Sequence, residues 1–338
     1  MDQQNERKRM RRVAITGIAG FIGSYLAREC LERGWAVRGL ENLRAGRIDN
    51  VVEMGDVEFY KGSLADRKLL RKMFKDVDVV FHCAGLSLDQ LLHTDPLTSH
   101  AANVEGALNL LWEAGMSGVR RVVFSGSAGA YAETERMPRA ENMLVKAASA
   151  YGIQKATSEL YMQYFSRFYS VDAVSLRYFN VFGPRQVCST PATTPIAHFI
   201  HSMMLDRQPT VYGDGLQTRN FTYIADVVAA NMQAALAEQS AVSGKVFNIA
   251  SGNTHTILEA YRTVAELLRF EKQPKFEPEP PGYERHLSAD ISAARELLGY
   301  LPRTGFRMGL EQTVDWYRDG RHFPVALRAQ SRPKRSTR

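Results

Sequence analysis

Eight residues near the start of the chain constrain its architecture most. A short apolar run, Val13-Ala14-Ile15, leads into Thr16-Gly17-Ile18-Ala19-Gly20-Phe21-Ile22-Gly23, with glycines three apart between a strand pattern and a helix pattern. Gly17 permits the tight turn, Gly20 lets the backbone come close to a pyrophosphate, and Gly23 allows close packing of helix on strand. The helix starts near Phe21 and Ile22, where the positive end of its dipole receives the phosphates of a dinucleotide. The motif requires a strand–turn–helix context, and the sequence supplies one.

The first half of the chain repeats that context. Short β-branched runs at Val13–Thr16, Ala36–Leu40, Val57–Tyr60, Val79–His82, Arg121–Ser125 and Ala173–Arg177 alternate with helical patterns over 21–33, 66–74, 99–115 and 151–169. This alternation predicts an α/β fold, a Rossmann-type doubly wound parallel sheet with its ligand at the carboxyl ends of the strands. After residue 180 the pattern loosens, with loop signals at 183–195 and 271–284. The expected organisation is therefore an NAD-binding domain over 12–182, to which 225–249 returns, and a smaller C-terminal α/β substrate-binding cap from 183–224 and 250–320. Residues 1–11 and 321–338 read as basic tails.

The choice of NAD comes from the second strand, which ends Gly39-Leu40-Glu41-Asn42. A carboxylate about 20 residues beyond the glycine turn accepts hydrogen bonds from the adenosine ribose and repels a 2′-phosphate. Arg44 and Arg47 stand near enough either to cover the adenine or to receive a phosphate.

Catalytic chemistry is indicated by Ser149-Ala150-Tyr151-Gly152-Ile153-Gln154-Lys155. Tyr151 and Lys155 are one helical turn apart and share a face. Tyrosine has a reference pKa of about 10 and is a poor base at neutral pH; a nearby ammonium and a cationic nicotinamide favour its phenolate. Tyr151 is then a usable general base, with Lys155 also holding the nicotinamide ribose. The fifth strand ends in Phe124-Ser125-Gly126-Ser127-Ala128-Gly129-Ala130-Tyr131, which places the Ser127 hydroxyl at the ligand end of the sheet, ready to bond a substrate hydroxyl.

Composition excludes several other classes. Net charge is +7, but five Arg/Lys lie in residues 1–12 and five in 325–338, leaving the body near neutral and giving no nucleic-acid surface. No run approaches the ~18 apolar residues of a membrane span. Cys30, Cys83 and Cys188 form no Cys-x-x-Cys pair and suggest reduced thiols in a cytoplasmic setting. His198 and His201 would share a helix face without a third ligand, so no metal is expected.

With these motifs in place the chain resembles the extended short-chain dehydrogenase/reductase family, specifically its NAD-dependent nucleotide-sugar epimerase/dehydratase branch, from about Arg12 to Arg318. Further motifs carry the resemblance: Val80-Phe81-His82-Cys83-Ala84-Gly85, Asn103-Val104-Glu105-Gly106, Arg177-Tyr178-Phe179-Asn180-Val181-Phe182-Gly183-Pro184-Arg185-Gln186, Tyr212-Gly213-Asp214-Gly215 running on to Arg219-Asn220-Phe221, and Ala289-Asp290-Ile291-Ser292. The resemblance implies a tightly bound, recycled NAD held by Gly17, Gly20, Phe21, Ile22 and Gly23 at the phosphates. Glu41, Asn42, Leu64, Ala84 and Asn103 would line it further along, with Tyr151, Lys155 and Tyr178 at the nicotinamide. It implies a nucleotide-sugar substrate contacted by Ser127, Asn180, Arg185, Tyr212, Arg219 and Arg285, with Arg219 on the pyrophosphate. It also implies a homodimer formed through the helices at 99–115 and 151–169.

Within that branch, sugar dehydratases resemble one another in an Asp-Glu pair after the serine position, and decarboxylases keep a Glu. This chain has Ala128-Gly129. What remains is oxidation and re-reduction of one carbon, a 4-epimerisation of a UDP-sugar. The family's arginine in the Arg-x-Gly-Asp segment is replaced by Pro280, with Arg285 as a substitute charge; Leu287 stands where a Ser, Cys or Tyr is usual; the loop Val187–Ala192 has no tyrosine. UDP-glucose or UDP-N-acetylglucosamine ranks first. UDP-glucuronic acid, whose carboxylate Arg185 and the Ser125-Gly126-Ser127 loop could face, and a net NAD-dependent oxidation stay open.

Overall fold

The computed structural model describes residues 11–86, 95–131, 136–187, 194–280 and 283–319. The basic tails expected at 1–11 and 321–338 lie outside it except for Arg11, as do residues 188–192 of the loop singled out above. The chain divides into two compact units.

The first unit comprises residues up to Tyr178, Ala225–Ile249 and Ala289–Leu301. Its strands are β1 (Arg12–Thr16), β2 (Ala36–Glu41), β3 (Val57–Lys61), β4 (Val79–His82), β5 (Arg121–Ser127), β6 (Asp172–Tyr178) and β7 (Val246–Ile249). They form one seven-stranded sheet in the order 3-2-1-4-5-6-7, with every neighbouring pair parallel. The order reverses between β1 and β4, the switch point at which such sheets bind ligands. Val13, Ala14 and Ile15 of β1 and Val79, Val80 and Phe81 of β4 are fully buried, as strands covered on both faces must be.

The covering helices are α1 (Phe21–Glu32), α2 (Arg67–Phe74), α3 (Gly106–Met116), α4 (Ala150–Phe168) and α5 (Ile224–Leu236). On one face Leu70, Met73 and Phe74 of α2, Leu110, Leu111 and Ala114 of α3, and Met162 and Phe165 of α4 close over Ala14, Val80, Val122 and Phe124. Each large side chain so buried contributes about 1.5–3 kcal/mol. A fully buried arginine ties the far end of the sheet together. Arg121 Nε donates to Asp172 Oδ2 at 2.7 Å, and its Nη1 donates to the carbonyls of Ala234 and Ala235 at the C-terminal end of α5. None of the described helices is long and apolar enough to cross a membrane.

Two features differ from the sequence expectation: Ala289–Leu301, expected in the cap, belongs to the first unit, and one helix is interrupted. The helix read as continuous over 99–115 is Pro96–His100 in α-form, a π-helical turn over Ala101–Glu105, and then α3. The extra residue in the turn brings the Asn103 carboxamide to the backbone of Leu86, to which it donates and from which it accepts. Single π-turns of this kind are costly and concentrate at functional positions.

The second unit comprises Phe179–Ile224, Ala250–Ser288 and the chain from Pro302 on. It is built on helices Pro195–Met204, Ile257–Leu268 and Phe306–Arg318, with strands only two or three residues long. A capping box starts its central helix, Thr256 Oγ1 accepting from Glu259 N while Glu259 Oε2 accepts from Thr256 N.

Candidate active site

The glycine turn follows β1 directly. Gly17 has a φ of +73°, and a Cβ there would lie 2.8 Å from the backbone nitrogen of Ala84, so only glycine fits. A Cβ on Gly23 would overlap the Gly17 carbonyl oxygen, which is why α1 can lie so close to the turn. Gly20 differs: a Cβ there would meet only that same carbonyl, at 3.1 Å, and its outer side is open. Gly20 is the N-cap of α1 and supplies no side-chain acceptor, so the first N–H groups of α1, at Phe21, Ile22 and Gly23, have no side-chain cap. An open, uncapped helix start is the donor set a pyrophosphate needs.

Glu41 ends β2 and is nine-tenths buried. Its Oε1 accepts from the N–H groups of Asn42 and Leu43 at 2.8 and 3.0 Å, which fixes the carboxylate. The loop after it folds back on the glycine turn, with Arg47 N and Asn50 Nδ2 both donating to Ala19 O. Asn42 is spent locally, its Oδ1 accepting from Arg44 N, and the Arg47 guanidinium reaches Asp49. The turn, the immobilised carboxylate and the uncapped helix together fit an NAD pyrophosphate and adenosine ribose.

Ser127, Tyr151 and Lys155 converge at the end of β5. Ser149 caps α4, its Oγ accepting from Gly152 N at 3.1 Å. A Cβ on Gly152 would overlap the carbonyl oxygen of Gly129, so the first turn of α4 rests directly on the 128–130 turn. A Cβ on Gly129 would sit 3.4 Å from Ser127 Oγ and 3.6 Å from Tyr151 Cδ1, so the hydroxyl and the phenol ring flank that one glycine. Lys155 is buried; its Nζ donates to Ser125 O at 2.8 Å and lies 5.8 Å from the centre of the Tyr151 ring. Burial lowers its pKa to about 8.

Around these residues lie polar contacts that the sequence does not show. Thr16 Oγ1 lies 2.9 Å from His82 Nδ1 and accepts from Ala84 N, joining the glycine turn to the end of β4. Burial, then the Lys155 charge, lowers the His82 pKa to about 3, so this ring is neutral at working pH. Ser125 Oγ is 3.3 Å from both Cys83 Sγ and the Tyr178 hydroxyl, and Tyr178 bonds Asn231 on α5. Burial raises the Tyr178 phenol well above its ordinary value and keeps it protonated. Leu64 is buried among the core side chains, and Asn103 bonds Leu86 rather than facing outward.

Asn180, Arg185, Tyr212, Arg219 and Arg285 belong to the second unit. Arg219 is almost fully buried; its Nη1 donates to the carbonyls of Thr218 and Arg285, its Nη2 to that of Glu284, and its guanidinium lies 5.2 Å from the centre of the Tyr283 ring. Tyr212 packs edge-on against Tyr283. Arg285 bridges two carboxylates, Asp214 at 2.8 Å and Glu279 at 2.6 Å, on an exposed surface. Asn180 has a φ of +26° and a buried Oδ1. The described residues contain no cluster of metal-ligating side chains.

Comparison with known proteins shows the family. Residues 13–250 match the model of the NAD dependent epimerase/dehydratase family. A UDP-glucose 4-epimerase of Mycolicibacterium smegmatis is 33% identical over 314 residues, covering 91% of this chain and 99% of its own. The solved UDP-N-acetylglucosamine 4-epimerase of Methanobrevibacter ruminantium, in complex with UDP-N-acetylmuramic acid, superposes with a TM-score of 0.87 at 32% identity, covering 92% and 99%. The UDP-glucuronic acid 4-epimerase of Bacillus cereus, in complex with UDP-glucuronic acid and NAD, gives 0.84 at 26% identity, covering 91% and 99%. The chain belongs to the NAD dependent epimerase/dehydratase family, within the extended short-chain dehydrogenase/reductases, and its cofactor is NAD.

Proposed function

We propose that this protein is a UDP-sugar 4-epimerase acting on a neutral or N-acetylated hexose, with Tyr151 as base and acid. The observation that carries the reading is the turn beside Tyr151: Ser127 is followed by Ala128, Gly129 and Ala130, none of which can protonate a leaving hydroxyl. Relatives of similar sequence include an epimerase for each of the three sugars considered, so family alone does not choose among them.

Bound NAD would supply the hydride acceptor for C4 of the sugar and the donor for its return. The protein's own part is protonic and positional. Tyr151, as phenolate, removes the proton of the C4 hydroxyl, leaving a 4-keto sugar; after the ring has turned about its diphosphate, the same oxygen returns the proton and the opposite configuration results. Ser127 Oγ accepts from Gly129 N at 3.1 Å, which leaves its proton for the substrate oxygen. Lys155, held on Ser125 O, supplies the charge that favours the phenolate and a donor for the ribose. For the nucleotide end, the second unit offers Arg219 with Tyr212 and Tyr283. We assign cofactor binding and the reacting groups to the first unit and the nucleotide end of the substrate to the second. A cycle that restores its cofactor needs no added NAD.

The outer face of α4 supports a homodimer. Its buried side is unusually polar, with Gln154, Lys155, Ser158 and Glu159, while Ile153, Leu160, Tyr164 and Phe168 point outward at 46–61% exposure. Trp112 and Met116 of α3 are also exposed. We propose that a second copy covers this apolar surface.

The direct test is incubation with UDP-glucose, UDP-N-acetylglucosamine and UDP-glucuronic acid separately, without added NAD, followed by NMR at C4. We expect the 4-epimer from one of the first two. Epimer from the glucuronate alone would reassign the substrate, and no epimer from any, with or without NAD, would sink the epimerase reading.

Lys155 sets the pH dependence. Its pKa in the fold is lowered to about 8, so the supporting charge is present below that pH and lost above it. We expect kcat/KM to fall on the alkaline side with an apparent pKa near 8, about tenfold per pH unit beyond it. A profile flat from about pH 7 to 10 would remove Lys155 from this role.

A further inference from the structure

Between Tyr151 and Lys155 on α4 lies Gln154, buried and with both ends of its amide engaged. Its Oε1 accepts from Asn103 Nδ2 at 2.7 Å, and its Nε2 donates to Ser99 Oγ at 2.7 Å, whose hydroxyl donates onward to Pro96 O. Asn103 in turn clamps Leu86, its Oδ1 accepting from Leu86 N at 2.6 Å and its Nδ2 donating to Leu86 O at 3.1 Å. The chain of bonds runs from the catalytic helix, across the π-turn, to the segment Cys83–Leu86.

That segment is wedged between two parts of the cofactor site. On one side a Cβ on Gly17 would lie 2.9 Å from Ala84 Cα, so Ala84 sits against the glycine turn. On the other, a Cβ on Gly85 would lie 2.9 Å from Asn103 Oδ1 and 4.0 Å from Lys155 Nζ. Gly85 has a φ of +155°, a conformation that L side chains rarely adopt and glycine adopts readily. A shift of Leu86 is therefore passed to both the pyrophosphate turn and the lysine.

We propose that Gln154 is a positioning residue for the cofactor: through Asn103 it holds the Cys83–Leu86 segment in register between the glycine turn and Lys155. The proposal rests on the reading of this face as the NAD site. Gln154 touches neither sugar nor reacting atoms in this role. An amide pair bonded at both ends in a buried setting is a rigid link, and losing one member leaves the other free to reorient.

The test is NAD binding to cofactor-stripped protein by titration calorimetry, with UDP binding and the melting temperature measured beside it. Gln154→Met keeps length and removes both strong hydrogen bonds. We expect the NAD dissociation constant to rise at least about fivefold, with UDP affinity within about twofold of the parent. Asn103→Ala should give a similar loss, and the double variant no more than Asn103→Ala alone, because one acts through the other. Ser99→Ala, which removes only the outer anchor, keeps the question open to measurement if Gln154→Met does not fold, and should weaken NAD about twofold or more. An NAD affinity unchanged in the variants, NAD and UDP weakening together, or additive losses in the double variant would each overturn the proposal. NAD titration needs no turnover. A parent protein that binds NAD and epimerises no sugar sinks the functional reading and leaves this inference standing on its own data.

Discussion

Tyr151→Phe is expected to lower turnover by about 10²–10⁴-fold, the range that a positioned general acid–base group contributes, while NAD and the UDP-sugar remain bound. The substitution removes one oxygen and leaves the ring, so packing on the Gly129 turn, where a Cβ would stand 3.6 Å from Tyr151 Cδ1, is retained. Lys155 keeps its bond to Ser125 O, made to the backbone and independent of the phenol. Ligand affinity should therefore hold while the proton has nowhere to go. The measurement is the rate of C4 inversion beside the UDP-sugar dissociation constant. Retention of more than about a tenth of the rate is a barrier change of only about 1.4 kcal/mol, and would show that another group moves the proton.

The inner strands of the sheet are legible because they are buried on both faces. Val79-Val80-Phe81-His82 announces a covered parallel strand by composition alone, and β4 spans those four residues. The glycine turn was legible because Gly17 and Gly23 sit where a Cβ meets backbone, a constraint that leaves few alternatives in sequence. Polar links across the sheet left no such trace. Thr16 and His82 read as strand ends, and their 2.9 Å contact joins residues 66 apart. Gln154 carries no role in the sequence reading, since nothing local shows that its amide meets Asn103, 51 residues earlier. The π-turn escaped for a related reason: periodicity over 99–115 is helical throughout, and one extra residue per turn is paid back only by the bonds Asn103 then makes. In the second unit, the sequence offers Arg285 as a substitute charge, and the structure engages it with Asp214 and Glu279. Sequence showed the charge; only the fold shows what competes for it.

Gly152→Ala is the sharper test of how the catalytic groups are placed. An added Cβ would overlap the Gly129 carbonyl oxygen and lie 2.8 Å from Ala147 Cβ, so the first turn of α4 or the 128–130 turn must move. Those two segments carry Tyr151 and Ser127, and a displacement of about 1 Å at reacting groups is enough to cost about 10²-fold. We expect kcat to fall by about that factor. Helix propensity pulls the other way, since alanine in a helix is favoured over glycine by about 1 kcal/mol, and the Ser149 cap accepts from the backbone N–H that remains. Stability should fall by about 1–3 kcal/mol, because the overlapped atom is backbone and helix propensity offsets only part of the cost, and the variant that folds should still show the loss of turnover. NAD affinity should weaken far less than turnover, because the glycine turn of α1 and the Glu41 carboxylate are fixed by bonds that do not involve α4, which reaches the cofactor site through Gln154 and Lys155. Gly305→Ala is the matched control: a Cβ there meets nothing within 4 Å, and its φ of −62° suits any residue. A Gly152→Ala protein within about threefold of the parent rate would mean that the contact with Gly129 yields cheaply and that Tyr151 and Ser127 are held in place by other parts of the fold.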